Sequence, residues 1–156
     1  MFFKKKQLTI QSPIAGEIVP LDQVEDPVFG GKMMGDGVAI MPKSGRVVAP
    51  VDGKIESIFP TKHALGIVAS DGAEILIHVG INTVELEGKP YTLHVSAGEK
   101  VKKGDLLLEF DIAAITAAGY PVVTPVIITN TPDYKSIDVL ASGSIAEKAD
   151  LLQLSK

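Results

Sequence analysis

The heptapeptide Glu74-Ile75-Leu76-Ile77-His78-Val79-Gly80 follows Gly66-Ile67-Val68-Ala69, with Asp71-Gly72 between them. In an extended strand, successive side chains alternate faces. Ile75, Ile77 and Val79 therefore share an apolar face that belongs in a core. Leu76 and His78 point the other way, outside the main core, with Gly80 just beyond. Asp71-Gly72 is a turn signal, so Gly66–Ala69 and Glu74–Val79 read as an antiparallel hairpin. The start of its first strand then lies beside the end of its second. That brings Thr61 and His63, in Phe59-Pro60-Thr61-Lys62-His63-Ala64, near His78. Thr61 is two residues from His63, and in extended chain the two share a face.

The same vocabulary runs outward in both directions. Glycine or proline recurs every eight to twelve residues, as in an all-β sandwich or barrel. Further strands are expected at Leu8–Ile10, Gly16–Val19, Val38–Met41, Arg46–Val48, Lys54–Phe59, Tyr91–Val95, Leu106–Phe110, Val122–Thr129, Ser136–Val139 and Ser144–Lys148. Only Ile112–Ala118 reads as a helix, with Asp111 as its cap and Gly119 as its stop. Ser12-Pro13-Ile14-Ala15-Gly16-Glu17-Ile18 echoes Ala49-Pro50-Val51-Asp52-Gly53-Lys54-Ile55, two similar corners of one β domain. The expected architecture is all-β: a compact antiparallel sandwich or barrel with at most short helical turns. Residues 1–6, Met-Phe-Phe-Lys-Lys-Lys, read as a flexible basic arm, and residues 7–156 as a single domain.

Composition narrows the functions. The 156 residues are 46% apolar and 22% charged, with no cysteine and no tryptophan. That length buries enough surface to fold without a disulfide or a metal. Without cysteine there is no thiolate zinc site, iron–sulfur cluster or thiol nucleophile. A net charge of −4 with few aromatics argues against nucleic-acid binding. No apolar run approaches the roughly 20 residues of a membrane span. The N-terminus lacks the apolar segment of a secretion signal. The expected location is the cytoplasm, without stable membrane insertion.

Three histidines carry the remaining chemistry. Two imidazoles and a hydroxyl in one place, His63, His78 and Thr61, suit phosphoryl transfer. One imidazole attacks, and neighbouring N–H and O–H groups bind the moving oxygens. No glycine-rich phosphate loop or acidic metal cluster is evident, which argues against nucleotide chemistry. A zinc site normally takes three protein ligands, and only Glu74 offers itself as a third. A swinging-arm carrier would need its modified lysine at a hairpin tip, and Lys32-Met33-Met34 has the wrong order. His94 shows no partner and reads as an exposed strand residue.

At this point the residues resemble a known family, the glucose-type IIA component of the bacterial phosphoenolpyruvate-dependent sugar phosphotransferase system. Glu74–Leu86 is similar to its active-site signature, and Thr61–Ala64 to the segment carrying its second histidine. Pro13–Pro20, Phe29, Met34–Gly37, Val48–Gly53 and Lys103–Asp111 read like it too, so the likeness spans residues 8–155. It implies a β-sandwich with both histidines in a shallow depression. His78 would take a phosphoryl group from the phosphohistidine of HPr and pass it to a cysteine of a permease IIB domain. His63 would hold the group and serve the onward transfer, and Thr61 would support His63 by hydrogen bonding. An apolar rim of Val28, Phe29, Met34, Phe59, Leu76 and Val84 would meet the partners, and Asp26 would meet basic residues of HPr. Asn82 stands where many relatives carry aspartate, and Leu76 and Gly66 where some carry an aromatic residue. No cofactor or intrinsic metal is implied. A zinc ion shared with a partner through His63 and His78 goes with the regulatory contacts of some relatives. The rival reading is a regulatory module that binds partners through this face without turnover.

Overall fold

The computed structural model describes residues 7–156, so the Met1–Lys6 arm lies outside the described residues. The strands are β1 (Gln7–Gln11), β2 (Gly16–Val19), β3 (Asp36–Pro42), β4 (Arg46–Val48), β5 (Gly53–Ile58), β6 (Ala64–Ala69) and β7 (Glu74–His78). They continue as β8 (Tyr91–Leu93), β9 (Lys100–Val101), β10 (Leu106–Phe110), β11 (Thr124–Ile128), β12 (Ser136–Val139), β13 (Ser144–Ile145) and β14 (Asp150–Ser155). Two short helices, α1 (Pro27–Gly30) and α2 (Ile112–Ala117), and a few 3-10 turns complete the described chain. The protein is all-β, and every strand pairing is antiparallel.

One sheet has eight strands, in the order β13-β2-β3-β11-β7-β6-β5-β9. Two three-stranded sheets, β1-β14-β12 and β4-β10-β8, contribute to the same core. Ile10 and Leu152 come from the first small sheet, Val47 and Leu108 from the second, and Ile40, Ile67 and Ile77 from the large one. The first and last strands, β1 and β14, pair side by side, with Gln7 opposite Ser155.

The large sheet is covered on both faces at its centre. Val38 and Ile40, Val126 and Ile128, and Ile75 and Ile77 face the main core. The residues between them, Ala39, Ile127 and Leu76, join a second apolar cluster with Leu21, Val24, Phe29, Ala64, Ile81 and Val123. Strands buried on both faces lose the apolar–polar alternation and read as continuous apolar runs. This second cluster is the bed on which the histidines lie.

Several expectations need correcting. Besides the expected helix, found at Ile112–Ala117, the chain forms α1 at Pro27–Gly30, where no helix was expected. Asp26 caps α1 by accepting hydrogen bonds from the Val28 and Phe29 amides at 2.9 and 3.2 Å, and Pro27 fills its first position. Ser144–Lys148 shrinks to a two-residue strand, and Asp150–Ser155 supplies an unexpected long one. A turn separates the two, with the Ala149 amide donating to the Ala146 carbonyl at 3.2 Å and Lys148 left-handed at φ 72°.

Candidate functional site

The hairpin fixes the histidine pair. In the β6–β7 register Ala64 lies opposite His78, and the Val79 amide donates to the His63 carbonyl at 2.7 Å. The two imidazole centroids are 4.7 Å apart with their planes at 79°. Thr61 arrives by a different route from the one expected. Residues 59–62 form a tight turn closed by Lys62 N–H donating to Phe59 O at 2.8 Å, with Lys62 left-handed at φ 63°. The segment is therefore not extended, yet the Thr61 hydroxyl reaches His63 Nδ1 at 2.7 Å. Pro60 suits the first corner of such a turn.

His78 Nδ1 lies 2.7 Å from the Gly80 carbonyl oxygen. A carbonyl only accepts, so Nδ1 carries the proton and Nε2 keeps its lone pair. Gly80 presents that carbonyl from φ 86°, a left-handed conformation; a Cβ there would meet the Thr83 methyl at 2.5 Å and Pro121 O at 2.9 Å. The space beside Gly80 is thus taken by the Thr83 side chain and the Pro121 carbonyl. The end of β7 is also clamped, because the Thr83 and Tyr91 hydroxyls both donate to the Val79 carbonyl, at 2.7 and 2.8 Å. Tyr91 and Thr83 had no signal in spacing or motif. Their part emerges only when the β8 strand folds under the hairpin.

Aromatic rings enclose the pair. Phe29 tilts over His78 at 4.8 Å, and Phe59 stands edge-on to His63 at 5.3 Å and to His78 at 6.3 Å. His63 is only 1% exposed. Burial, reinforced by the neighbouring His78, lowers its pKa to about 4. Burial also lowers that of His78, opposed by the Gly80 carbonyl and by the Asp26 carboxylate. Both rings are neutral near pH 7, the state in which a nitrogen can act as a nucleophile.

Not all the expected rim is exposed. Phe29 and Leu76 are 8% and 6% exposed, because they belong to the second apolar cluster and form the floor beside His78. Val28, Met34, Phe59 and Val84 are exposed around them, as is Asn82, left-handed at φ 61°. Lys32, the rival carrier lysine, sits in the turn after α1 and pairs with Asp36 at 3.4 Å. His94 does have a partner: its Nε2 lies 2.7 Å from Glu109 Oε1, on the sheet formed by β4, β10 and β8. Among the described residues no three His, Asp or Glu side chains are grouped to hold a metal ion. Nor is any helix among them long and apolar enough to cross a membrane.

Comparison with known proteins agrees with this arrangement. The family model described as phosphoenolpyruvate-dependent sugar phosphotransferase system, EIIA 1, matches residues 8–134. The β-glucoside-specific EIIBCA component of Dickeya chrysanthemi is 52% identical over 94% of this chain, which spans 23% of that longer protein. The glucose-specific EIIA component of Oceanobacillus iheyensis is 50% identical over 85% of this chain and 80% of its own length. The solved glucose permease IIA from Mycoplasma capricolum superposes with a TM-score of 0.91 at 38% identity, covering 98% of this chain and 99% of that one. The chain belongs to the EIIA 1 family of the phosphoenolpyruvate-dependent sugar phosphotransferase system, as a phosphotransferase component of the kind that carries a phosphoryl group between proteins.

Proposed function

We propose that the chain accepts a phosphoryl group on Nε2 of His78 from the phosphohistidine of HPr, and passes it to a cysteine of a permease IIB domain for sugar uptake. The observation that carries this reading is the hydrogen bond from His78 Nδ1–H to the Gly80 carbonyl, which leaves Nε2 as the free nucleophile.

In the first step Nε2 forms a bond to phosphorus as the donor's nitrogen–phosphorus bond breaks. The donor imidazole leaves with the bonding pair. Positive charge develops on the His78 ring, and the Gly80 carbonyl stabilises it while keeping its proton. The Thr61 hydroxyl and His63 Nδ1 share a hydrogen bond at 2.7 Å; with the hydroxyl donating, the ring's proton sits on Nε2. That N–H binds an oxygen of the phosphoryl group. In the second step an acceptor thiolate attacks phosphorus, the Nε2–phosphorus bond breaks, and His78 returns to neutral imidazole. Phe29 and Phe59 exclude water that would otherwise hydrolyse the phosphoimidazole. Each partner brings its own reacting group, so a shallow face serves better than a deep pocket. Val28, Met34, Phe59 and Val84 supply its apolar contacts, Asn82 lies at its edge, and Asp26 attracts a basic partner. The relay operates in the cytoplasm and needs no cofactor or resident metal.

Incubation with phosphoenolpyruvate, enzyme I and HPr should add about 80 Da, one phosphoryl group, as acid-labile phosphate on His78. His78→Ala abolishes this labelling. His63→Gln keeps it but slows transfer to IIB. Wild-type protein that gains no mass overturns the reading and leaves a regulatory module that binds partners through the same face.

A further inference from the structure

The Gly80 carbonyl sets the chemistry of His78, because it holds the ring proton on Nδ1. Glycine adopts positive and negative φ about equally readily. Gly80 therefore does not select its own φ of 86°, and the selection comes from the peptides on either side of it.

The peptide after Gly80, which carries that carbonyl, is anchored through the main chain. Its Ile81 amide donates to Pro121 O at 3.1 Å. The peptide before Gly80 is anchored by side chains instead. Its Val79 carbonyl accepts from the Thr83 hydroxyl at 2.7 Å and from the Tyr91 hydroxyl at 2.8 Å. Two donors fill both lone pairs of a carbonyl oxygen. Val79, Gly80, Thr83 and Tyr91 are all buried, so bulk water does not replace a lost donor. Turning the Val79–Gly80 peptide would leave its carbonyl stranded in the core. Burial raises the Tyr91 pKa, opposed by the nearby Thr83 hydroxyl, and the phenol keeps the proton it donates.

The two donors belong to different parts of the fold. Thr83 opens the 3-10 turn Thr83–Leu86, just beyond Gly80 in the chain. Tyr91 lies on β8 opposite Phe110 of β10, in the small sheet β4-β10-β8. Its hydroxyl thus ties the end of β7, in the large sheet, to the other side of the core. Val79 serves His63 as well, through the 2.7 Å bond from its amide to the His63 carbonyl.

We propose that Tyr91 and Thr83 are positioning residues for phosphoryl transfer: by holding the Val79 carbonyl they keep the Gly80 carbonyl on His78 Nδ1, and so select Nε2 as the reacting nitrogen. The transfer rests on the carrier reading above, whereas the tautomer is a property of the resting protein. Without the hydroxyls Gly80 gains access to negative φ, and its carbonyl leaves Nδ1. The ring then samples the opposite tautomer, with its proton on Nε2 and its lone pair on Nδ1. That form offers a partner no nucleophile at Nε2.

The test compares wild type, Tyr91→Phe, Thr83→Val, Thr83→Ser and the double variant Tyr91→Phe/Thr83→Val. Nitrogen NMR of isotopically labelled histidine, near neutral pH, reads the tautomer directly. Wild-type His78 should show a protonated Nδ1 and a bare Nε2. In the double variant the two nitrogen shifts should move toward each other as the tautomers mix. Its labelling at saturating phospho-HPr should slow about tenfold with KM unchanged, as for lost hydrogen bonds that act on chemistry rather than docking. Thr83→Ser restores the hydroxyl and should return the shifts lost in Thr83→Val. Circular dichroism checks folding; if the double variant unfolds, Tyr91→Phe, which keeps the ring, decides alone. Unmoved His78 shifts overturn the proposal, whatever happens to stability or rate. Moved shifts with an unaltered labelling rate overturn it too. Wild-type protein that is never labelled refutes the carrier reading instead, and the shifts still decide whether the hydroxyls set the tautomer.

Discussion

Replacing His63 with glutamine should make the protein less sensitive to acid. In the folded chain burial and the neighbouring His78 hold the His63 pKa at about 4, against 6.5 for an unperturbed imidazole. Below pH 6.5 the unfolded chain binds a proton on this ring, and the folded chain does not until about pH 4. Folding stability is therefore fully present above 6.5 and lost as pH falls toward 4. At 1.36 kcal/mol per pKa unit, the full loss is about 3 kcal/mol, of which about 2 kcal/mol is spent by pH 5. Glutamine does not titrate, so His63→Gln removes this component. Any loss of packing or of the Thr61 bond shifts its stability by a pH-independent amount. Urea unfolding followed by far-ultraviolet circular dichroism, at intervals from pH 7.5 to 4.5, gives both curves. Carboxylates titrate in both proteins and cancel in the difference. Part of the depression comes from His78, so a repeat in a His78→Gln background should shrink the difference without abolishing it. Parallel curves for wild type and His63→Gln would refute the buried, neutral imidazole on which the transfer geometry depends.

Other substitutions separate positioning from chemistry. Gly80→Ala forces a Cβ against Thr83 and Pro121 from a left-handed backbone, and should cost about 1–3 kcal/mol in urea unfolding while slowing His78 labelling. Thr61→Val deletes the hydroxyl beside His63; labelling should persist while transfer to IIB slows about tenfold in single-turnover assays, the worth of one hydrogen bond. Asp26→Asn keeps the α1 cap but removes a charge that raises the His78 pKa, so the His78 imidazole should titrate lower by NMR. Asp26→Ala should in addition cost about 1 kcal/mol of stability through the lost cap. Phe59→Lys, at a ring 37% exposed, should leave the fold intact and raise KM for phospho-HPr about tenfold.

The hairpin was legible because two physical signals coincided there. Alternation in Glu74–Val79 assigned its faces, and Asp71-Gly72 assigned the turn, which together brought the start of the first strand beside the end of the second; the structure adds the register, Ala64 opposite His78. Asp26-Pro27 carried an equally good signal, a capping residue before a first-position proline, but a one-turn helix has no periodicity to announce it. Phe29 and Leu76 read as rim because the second apolar cluster draws its buried residues from four strands, the segment leading into α1 and two loops, far apart in sequence. The Thr61–His63 bond was anticipated for an extended segment, whereas a left-handed Lys62 makes it. Sequence spacing could suggest the contact but not the turn that forms it. The Tyr91 hydroxyl and the His94–Glu109 pair depend wholly on which strands become neighbours.

Gln7 opposite Ser155 means that the chain enters and leaves the fold at one corner. Anything joined upstream or downstream would hang from the same anchor point. A fused acceptor domain would then meet the histidines over nearly the same reach whichever end carried it. Once tethered, its encounter rate is set by leash length and stiffness through local concentration, rather than by diffusion through the cell. Free and fused forms of such a relay can thus share one docking face and differ only in how often the acceptor visits it.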